Sequence, residues 1–287
     1  MLSLTSGASP LTAVHGGRGP RVNWFYDTSI WITLPLFVGG FVLLSCLAVV
    51  WLRPVVRRLV DSPSEWDRAL AHVIGTFGVF FGILLALVAL SVYDNFAETR
   101  TATLREAAQL TALYRGTTAL PEEIGEPIRD TIAEYVHAVI EEDFASQKSG
   151  VLPEESAVMV DEVEHLLHEF EAVTLSEQAE YVQVLATFDD FVEARRERID
   201  ATTLELPTLF WLVLWVGAAV NAVLIALIYV QRKRLHLVMA GLLALFIGLV
   251  MFVTADMDHP YQGSISVGPG AFERILQQTI ERLDPDG

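Results

Sequence analysis

Four stretches of this chain are almost wholly apolar: Ile30–Leu52, Val73–Val92, Leu209–Val230 and Leu235–Val253. Each reaches the ~20 residues a helix needs to cross a hydrocarbon layer ~30 Å thick. No charge interrupts the interior of any of them, and Asn221 is the one strongly polar residue inside them, with His236 at the edge of the last. Trp24, Phe25, Tyr26 and Trp31 bracket the start of the first run, and Tyr93 and Tyr229 sit at the ends of others. Amphipathic rings collect at such positions, at the level of the lipid headgroups. Too little chain remains to bury four helices of this kind in a soluble core. The fold class expected is therefore all-α: a multi-pass membrane protein with a lipid bilayer as its first partner.

Charge is segregated as sharply as hydropathy. The chain is 52% hydrophobic and has a mean hydropathy of +0.42, yet carries a net charge of −17. Between Asp94 and Leu206 stand 26 acidic and 8 basic residues, a balance of −18, while the rest is close to neutral. Five segments follow: an N-terminal tail (1–29), two spans (30–93), an acidic inserted domain (94–206), two further spans (207–254) and a C-terminal tail with a short helix (255–287). The first 29 residues lack the basic start, apolar core and cleavage site of a secretory signal. Acidity of this degree opposes nucleic-acid binding, which depends on neutralising phosphates. A single cysteine, Cys46, excludes an intrachain disulfide or a cysteine-rich metal site.

The inserted domain reads as helices. Ile128, Ile132, Tyr135/Val136, Val139/Ile140 and Phe144 recur at helical spacing, as do Met159/Val160, Val163, Leu166/Leu167 and Phe170. A third stripe runs Tyr181, Leu185, Phe188, Phe191/Val192 and Ile199, entered through a capping-box pattern at Thr174–Glu177. With the outward continuation of the second span this predicts an extramembrane four-helix bundle, continuous with spans two and three and with Pro207 at the re-entry point. Lys and Arg near span ends set orientation. The short connections 53–72 and 231–234 hold seven of them, Arg53, Arg57, Arg58, Arg68, Arg232, Lys233 and Arg234. That predicts short loops in the cytoplasm and the acidic domain outside, although Arg195, Arg196 and Arg198 pull the other way.

Candidate chemistry is sparse. Glu134/His137 and Glu162/His165 have the Glu-x-x-His spacing of di-iron bundles. Helical phase turns these residues, and His168, away from the apolar stripes, so no metal is expected. Asp256, Asp258 and His259 cluster where the last span stops. They read as carboxylates leaving the membrane, as ion-pair partners of Arg100, Arg105 or the Arg195, Arg196 and Arg198 cluster, or as a metal or proton-relay site short of ligands. No phosphate loop, nucleophile elbow or zinc helix appears, so neither enzymatic activity nor a cofactor is expected. In span two, Gly78 and Gly82 permit close helix approach. Phe77, Phe81, Leu85 and Val88 share a nearby face that could form an apolar constriction gating by dewetting. Gly241 and Gly248 are further close-packing candidates in span four.

This order of parts resembles the bacterial bestrophin-like membrane protein family, a domain of unknown function named for its likeness to bestrophin chloride channels. The resemblance rests on "GVFFGILLALVALSVYDNFAETR" (78–100), "REAAQLTALYR" (105–115), "FDDFVEARRERI" (188–199) and "DHPYQGSISVGPGAFERIL" (258–276). It covers roughly residues 30–280 and implies an oligomeric, all-helical membrane protein that conducts ions. Asp258, Pro260 and Gly263 match the family's exit from the last span, whereas His259 departs from it, which favours a structural role for that stretch. Two departures bear on chloride conduction. Bestrophins keep their soluble domain in the cytoplasm, and their acidic calcium clasp has no residue-by-residue counterpart here. The function expected is a homo-oligomeric ion channel or passive transporter lined by span two, taking inorganic ions with cation preference or weak selectivity. The alternative is a non-conducting scaffold or sensor whose acidic domain binds a partner.

Overall fold

A computed structural model describes residues 28–60 and 63–280; the N-terminal tail lies outside them, apart from Thr28 and Ser29. The described residues are helical and contain no strand. Four helices are long and apolar enough to span a membrane. They are α1 (Ile30–Leu59), α2 (Pro63–Gly116), α7 (Thr208–Ala226) and α8 (Lys233–Met257). Between α2 and α7 lie α3 (Glu122–Ala138), α4 (Phe144–Lys148), α5 (Ala157–Glu169) and α6 (Leu175–Asp200). A short α9 (Gly270–Ile275) follows α8.

α2 dominates the architecture. Its 54 residues make a rod of ~81 Å at 1.5 Å per residue, far longer than a bilayer needs. The membrane half of α2 packs on α7 and α8. Phe81, Leu85, Val88 and Val92 are buried there with Leu214, Ala218, Ile247 and Met251. α1 lies along α8 and α7, joined by rings: Phe37 sits 5.9 Å from Trp215 and 5.8 Å from Phe252. Small residues permit this approach, as membrane helices require. A Cβ on Gly248 would stand 3.3 Å from Phe41, and one on Gly241 3.7 Å from Val42. Gly217 faces Phe81 so closely that any Cβ would overlap the phenyl ring.

The outer half of α2 belongs to a second core. Leu110, Leu113 and Tyr114 of α2 meet Ile128, Ile132, Tyr135 and Val136 of α3, Val160, Val163 and Leu167 of α5, and Phe188 and Phe191 of α6. α6 runs antiparallel to α2: Glu106 pairs with Arg198, while Gly116 lies beside Val184. Thr174 begins α6 with the expected capping box, its Oγ1 accepting from the Glu177 N–H while Glu177 accepts from the Thr174 N–H. A π-helical turn at Val139–Asp143 continues α3 into α4. The segment after α8 joins this same core through Tyr261, Val267, Ala271, Phe272 and Ile275.

One expected connection is absent. α6 does not run on into the third span: a 3₁₀ turn at Ala201–Thr203 and an extended stretch end it, and α7 starts afresh with Pro207 as N-cap. Pro207 blocks helix propagation from the preceding residue, and Asp258 fixes the break by accepting from the Leu206 N–H at 2.8 Å. Only the second span is continuous with the inserted domain. The first connection also differs: α1 carries Arg53, Arg57 and Arg58 within its last turns, and α2 has resumed by Pro63.

Candidate functional site

The face of α2 turned away from its own protomer is the most informative surface. Taking the buried Phe81–Leu85–Val88–Val92 face as origin and 100° per residue, the opposite face carries Val79, Ile83 and Leu90. All three are more than half exposed. The same stripe continues past the membrane level as Asp94, Ala97 and Thr101. Beside it opens a groove of about 660 Å³ lined by Asp94, Glu98, Thr101, Arg105, Glu197 and Asp200, among others. Arg105 is spent on Glu197, at 3.1 Å, so the groove's balance is negative. The apolar stripe thus runs up to a carboxylate-lined groove.

The sequence-predicted constriction does not occupy that stripe. Phe81, Leu85 and Val88 are buried inside the protomer, and Phe77 stacks on Phe81 with centroids 5.7 Å apart. Facing Gly217 and Met251, they are packed inside the membrane bundle of the protomer. Both faces of span two are apolar, so composition gave no phase; the small Gly217 opposite Phe81 was the available signal. Gly78 and Gly82 are exposed, and a Cβ on either would meet no described atom within 4 Å.

A buried ionic centre stands inside the second core. Arg198 is fully buried, as are Glu106 and Asp143. Its Nε donates to Glu106, Nη1 to Gln147 Oε1 at 2.9 Å and Nη2 to Asp143 Oδ2 at 2.8 Å. The guanidinium carbon stands 5.7 Å from the ring centroids of both Phe144 and Phe272. Tyr135 Oη donates to the other Glu106 oxygen, and Tyr261 Oη donates to the Arg198 carbonyl at 2.8 Å. Burial opposes the charge on Arg198, but Glu106 and Asp143 hold it protonated far above its ordinary range. Burial, with Glu106 adjacent, pushes the Tyr135 phenol well up, and burial pushes Tyr261 up to about 12. One side chain thereby joins α2, α4, α6, the π turn and α9.

The expected ion-pair cluster of Arg195, Arg196, Arg198 and Asp256 does not form. Arg198 turns into the core, Arg195 donates to Ser156 Oγ at 3.0 Å, and Arg196 is exposed. Asp256 instead accepts from the backbone N–H groups of Ser264 and Ile265, at 3.2 and 3.1 Å. Asp258 accepts from Leu206 N–H and from Trp211 Nε1. Burial raises its carboxyl above the ordinary value, with the Trp211 and Leu206 bonds pulling the other way. The Pro260 carbonyl accepts from Val267 N–H at 2.8 Å, and Gly263 turns the chain at φ +81°, a conformation glycine adopts without strain. The exit motif is thus a clamp on the third and fourth spans. Glu134, His137, Glu162, His165 and His168 are all exposed, on the solvent sides of α3 and α5.

Comparison with known proteins agrees with this architecture. Residues 39–272 match the model of a Bestrophin-like domain. A point mutant of a bacterial bestrophin homolog from Klebsiella pneumoniae superposes with a TM-score of 0.60 at 13% identity, covering 87% of this chain and 98% of that one. A second mutant of that homolog gives 0.59 at 12% identity, over 91% and 100%. Its zinc-phased structure gives 0.58 at 14% identity, over 88% and 98%. At such identities the likeness is one of fold. No curated protein matches the chain.

Proposed function

From the premise that this chain belongs to the bestrophin-like family, we propose that it is a passive ion channel of the membrane, built from several copies around the exposed stripe of α2. The observation that carries this reading is the stripe itself. Val79, Ile83 and Leu90 make an apolar track of ~17 Å along the membrane half of α2, and Asp94 and Glu98 follow above it. A ring of such helices makes a narrow apolar passage that conducts when wetted. The four helical elements of the inserted domain, with α9 against them, stand outside the bilayer as a bundle over its mouth. Carboxylates there concentrate cations within a Debye length of ~8 Å at physiological salt and deplete anions. The passage therefore prefers cations. The arginines of the two short connections favour placing those in the cytoplasm; labelling of a cysteine at Ser149 by an impermeant reagent checks that side.

The experiment is current through a planar bilayer under a KCl gradient, from purified and reconstituted protein. Replacing Val79 and Ile83 by alanine raises the current. Asp94→Asn with Glu98→Gln moves the reversal potential away from the K⁺ limit. Phe81→Ala loosens the protomer without widening a passage. Silence from wild type and variants alike, in protein sized as an oligomer, would remove the channel reading and leave the partner-binding scaffold.

A further inference from the structure

The end of the protomer away from the inserted domain carries positive charge that the fold does not balance. α8 starts at Lys233 with Arg232 as its N-cap and Arg234 next in line, and no acidic residue stands in its first turn. The positive end of a helix dipole disfavours cations, which are stabilising at the opposite end. Other helices of the chain follow that rule: α2 opens with Glu65 and closes with Arg115, and α6 opens with Glu177 and closes with Arg198. α8 reverses it. No acidic residue occurs between Glu205 and Asp256. Asp67, which approaches from α2, accepts from the Tyr229 N–H at 3.2 Å. None of Arg232, Lys233 and Arg234 has an ion-pair partner among the described residues.

The connection between α7 and α8 is held in shape from the side. Arg53 of α1 donates through Nη2 to the carbonyls of Gln231, at 2.9 Å, and Val230, at 3.4 Å, and the three cations that follow are exposed. With Leu235 and Val238 they line a hollow of about 510 Å³. An apolar face continues from it along α8. Leu235, Val238, Leu242 and Phe246 are each more than half exposed and lie within ~80° of one another by helical phase. Ala240, Ala244, Ile247 and Met251 are buried on the other side of the helix. From Leu235 to Phe246 the face is ~17 Å long, close to the ~15 Å that half of a ~30 Å hydrocarbon layer offers. Tyr229 and the exposed Trp51 stand at this same end, as rings do at headgroup level.

We infer that this end of α8 is a binding site for an anionic phospholipid: Arg232, Lys233 and Arg234 hold its phosphate diester, and an acyl chain lies along Leu235, Val238, Leu242 and Phe246. The ligand supplies the negative charge that the start of α8 lacks. It also covers an apolar face that begins where the cations end, and a soluble phosphate has nothing to place there. Orienting a membrane protein needs only a count of Lys and Arg near the span ends; it requires neither the hollow nor the track beneath it. The site lies on α8, apart from the α2 stripe, and does not depend on conduction.

Native mass spectrometry of the full chain, released from detergent with added lipid, tests this. Each Lys or Arg near an anionic headgroup contributes roughly fivefold to binding, so wild type retains phosphatidylglycerol over phosphatidylcholine by roughly tenfold or more. Equal retention of the two lipids would overturn the inference, and this comparison needs no variant to fold. Arg232→Gln with Arg234→Gln removes the preference. Arg58→Gln with Arg68→Gln, an equal loss of charge at the same membrane end, leaves it; equal losses from both pairs would mean a diffuse surface field and no site. Val238→Ser with Leu242→Ser lowers retention several-fold with every cation in place, and unchanged retention there would refute the acyl track. Excess glycerol 3-phosphate, which has the phosphate without the tail, leaves the lipid bound. Its displacement would assign the cations to free phosphate and overturn the lipid site. Protein that keeps the lipid yet carries no current would refute the channel and spare this site; the converse would do the opposite.

Discussion

Replacing Arg198 with methionine tests the buried centre most directly. The substitution keeps much of the stem's volume and removes the charge that pairs directly with Glu106 and Asp143 in a site with no solvent exposure. Breaking a buried ion pair by deleting one partner costs about 3–5 kcal/mol, because the remaining charge stays desolvated. Here two carboxylates remain, and Asp143 Oδ1 already lacks a hydrogen-bond partner, so the upper end of that range applies. The folded variant can relieve the cost by taking up a proton that the unfolded chain does not hold. Its stability therefore falls as pH rises, and its deficit against wild type is smaller near pH 5 than near pH 8. Neutralising the site in full, with Glu106→Gln, Asp143→Asn and Arg198→Met together, recovers most of the loss. The described tryptophans, Trp31, Trp51, Trp66, Trp211 and Trp215, all lie in the membrane helices, so fluorescence is a poor reporter. Hydrogen exchange of peptides from α3 and α6 in detergent reads the opening energy of this core. A cost below about 1 kcal/mol, or a triple variant as unstable as the single one, would refute the reasoning.

Three further outcomes are expected. Gly263→Ala forces a Cβ into the left-handed region at φ +81° and lowers stability by about 1–2 kcal/mol, measured as loss of thermal midpoint. Asp258→Ala strips the acceptor from Leu206 N–H and Trp211 Nε1, shifting Trp211 emission and costing about 1–3 kcal/mol for each buried donor left unpaired. Because burial raises the Asp258 carboxyl, the stability linked to it is complete below its unfolded value and declines as pH rises through the raised folded one; Asp258→Asn abolishes that slope in a pH series of unfolding midpoints. At Glu177 the sign reverses. The N–H groups of Thr174 and Val173 hold its carboxyl below the ordinary value, so its contribution is present above the unfolded value and lost as pH falls through the folded one. Glu177→Gln removes the dependence, seen in exchange of the first turn of α6.

The membrane helices were legible because a span announces itself by composition over a whole window, and α6 because its cap and stripe are local. Arg198 is a different case. Glu106 falls in step with Thr99, Thr103, Leu110 and Leu113, and Arg198 with Phe188, Phe191 and Ala194, so both occupy buried phases of their helices. A lone charge at such a phase was the available sign, but its partner lay 92 residues away. The break before α7 was half visible in Pro207, while Asp258, which secures it, comes 52 residues after Leu206. Phase within span two was lost because lipid and protein are equally apolar surroundings. In the soluble half water exposes the phase, which is why the Glu-x-x-His pairs could be placed correctly.

The unbroken length of α2 has a mechanical consequence. From Asp94 to Gly116 it extends ~34 Å past the apolar stripe, with no proline after Pro63. Its glycines before Gly116 are Gly75, Gly78 and Gly82, all on the membrane side. Compliance is thus gathered at one end and stiffness at the other, which makes the helix a lever. A tilt of ~3° moves the outer tip by roughly 2 Å relative to the stripe. The α6–α7 break spares the third span from following that swing, so torque applied at the bundle's tip is delivered to one helix, at the place where a passage would open.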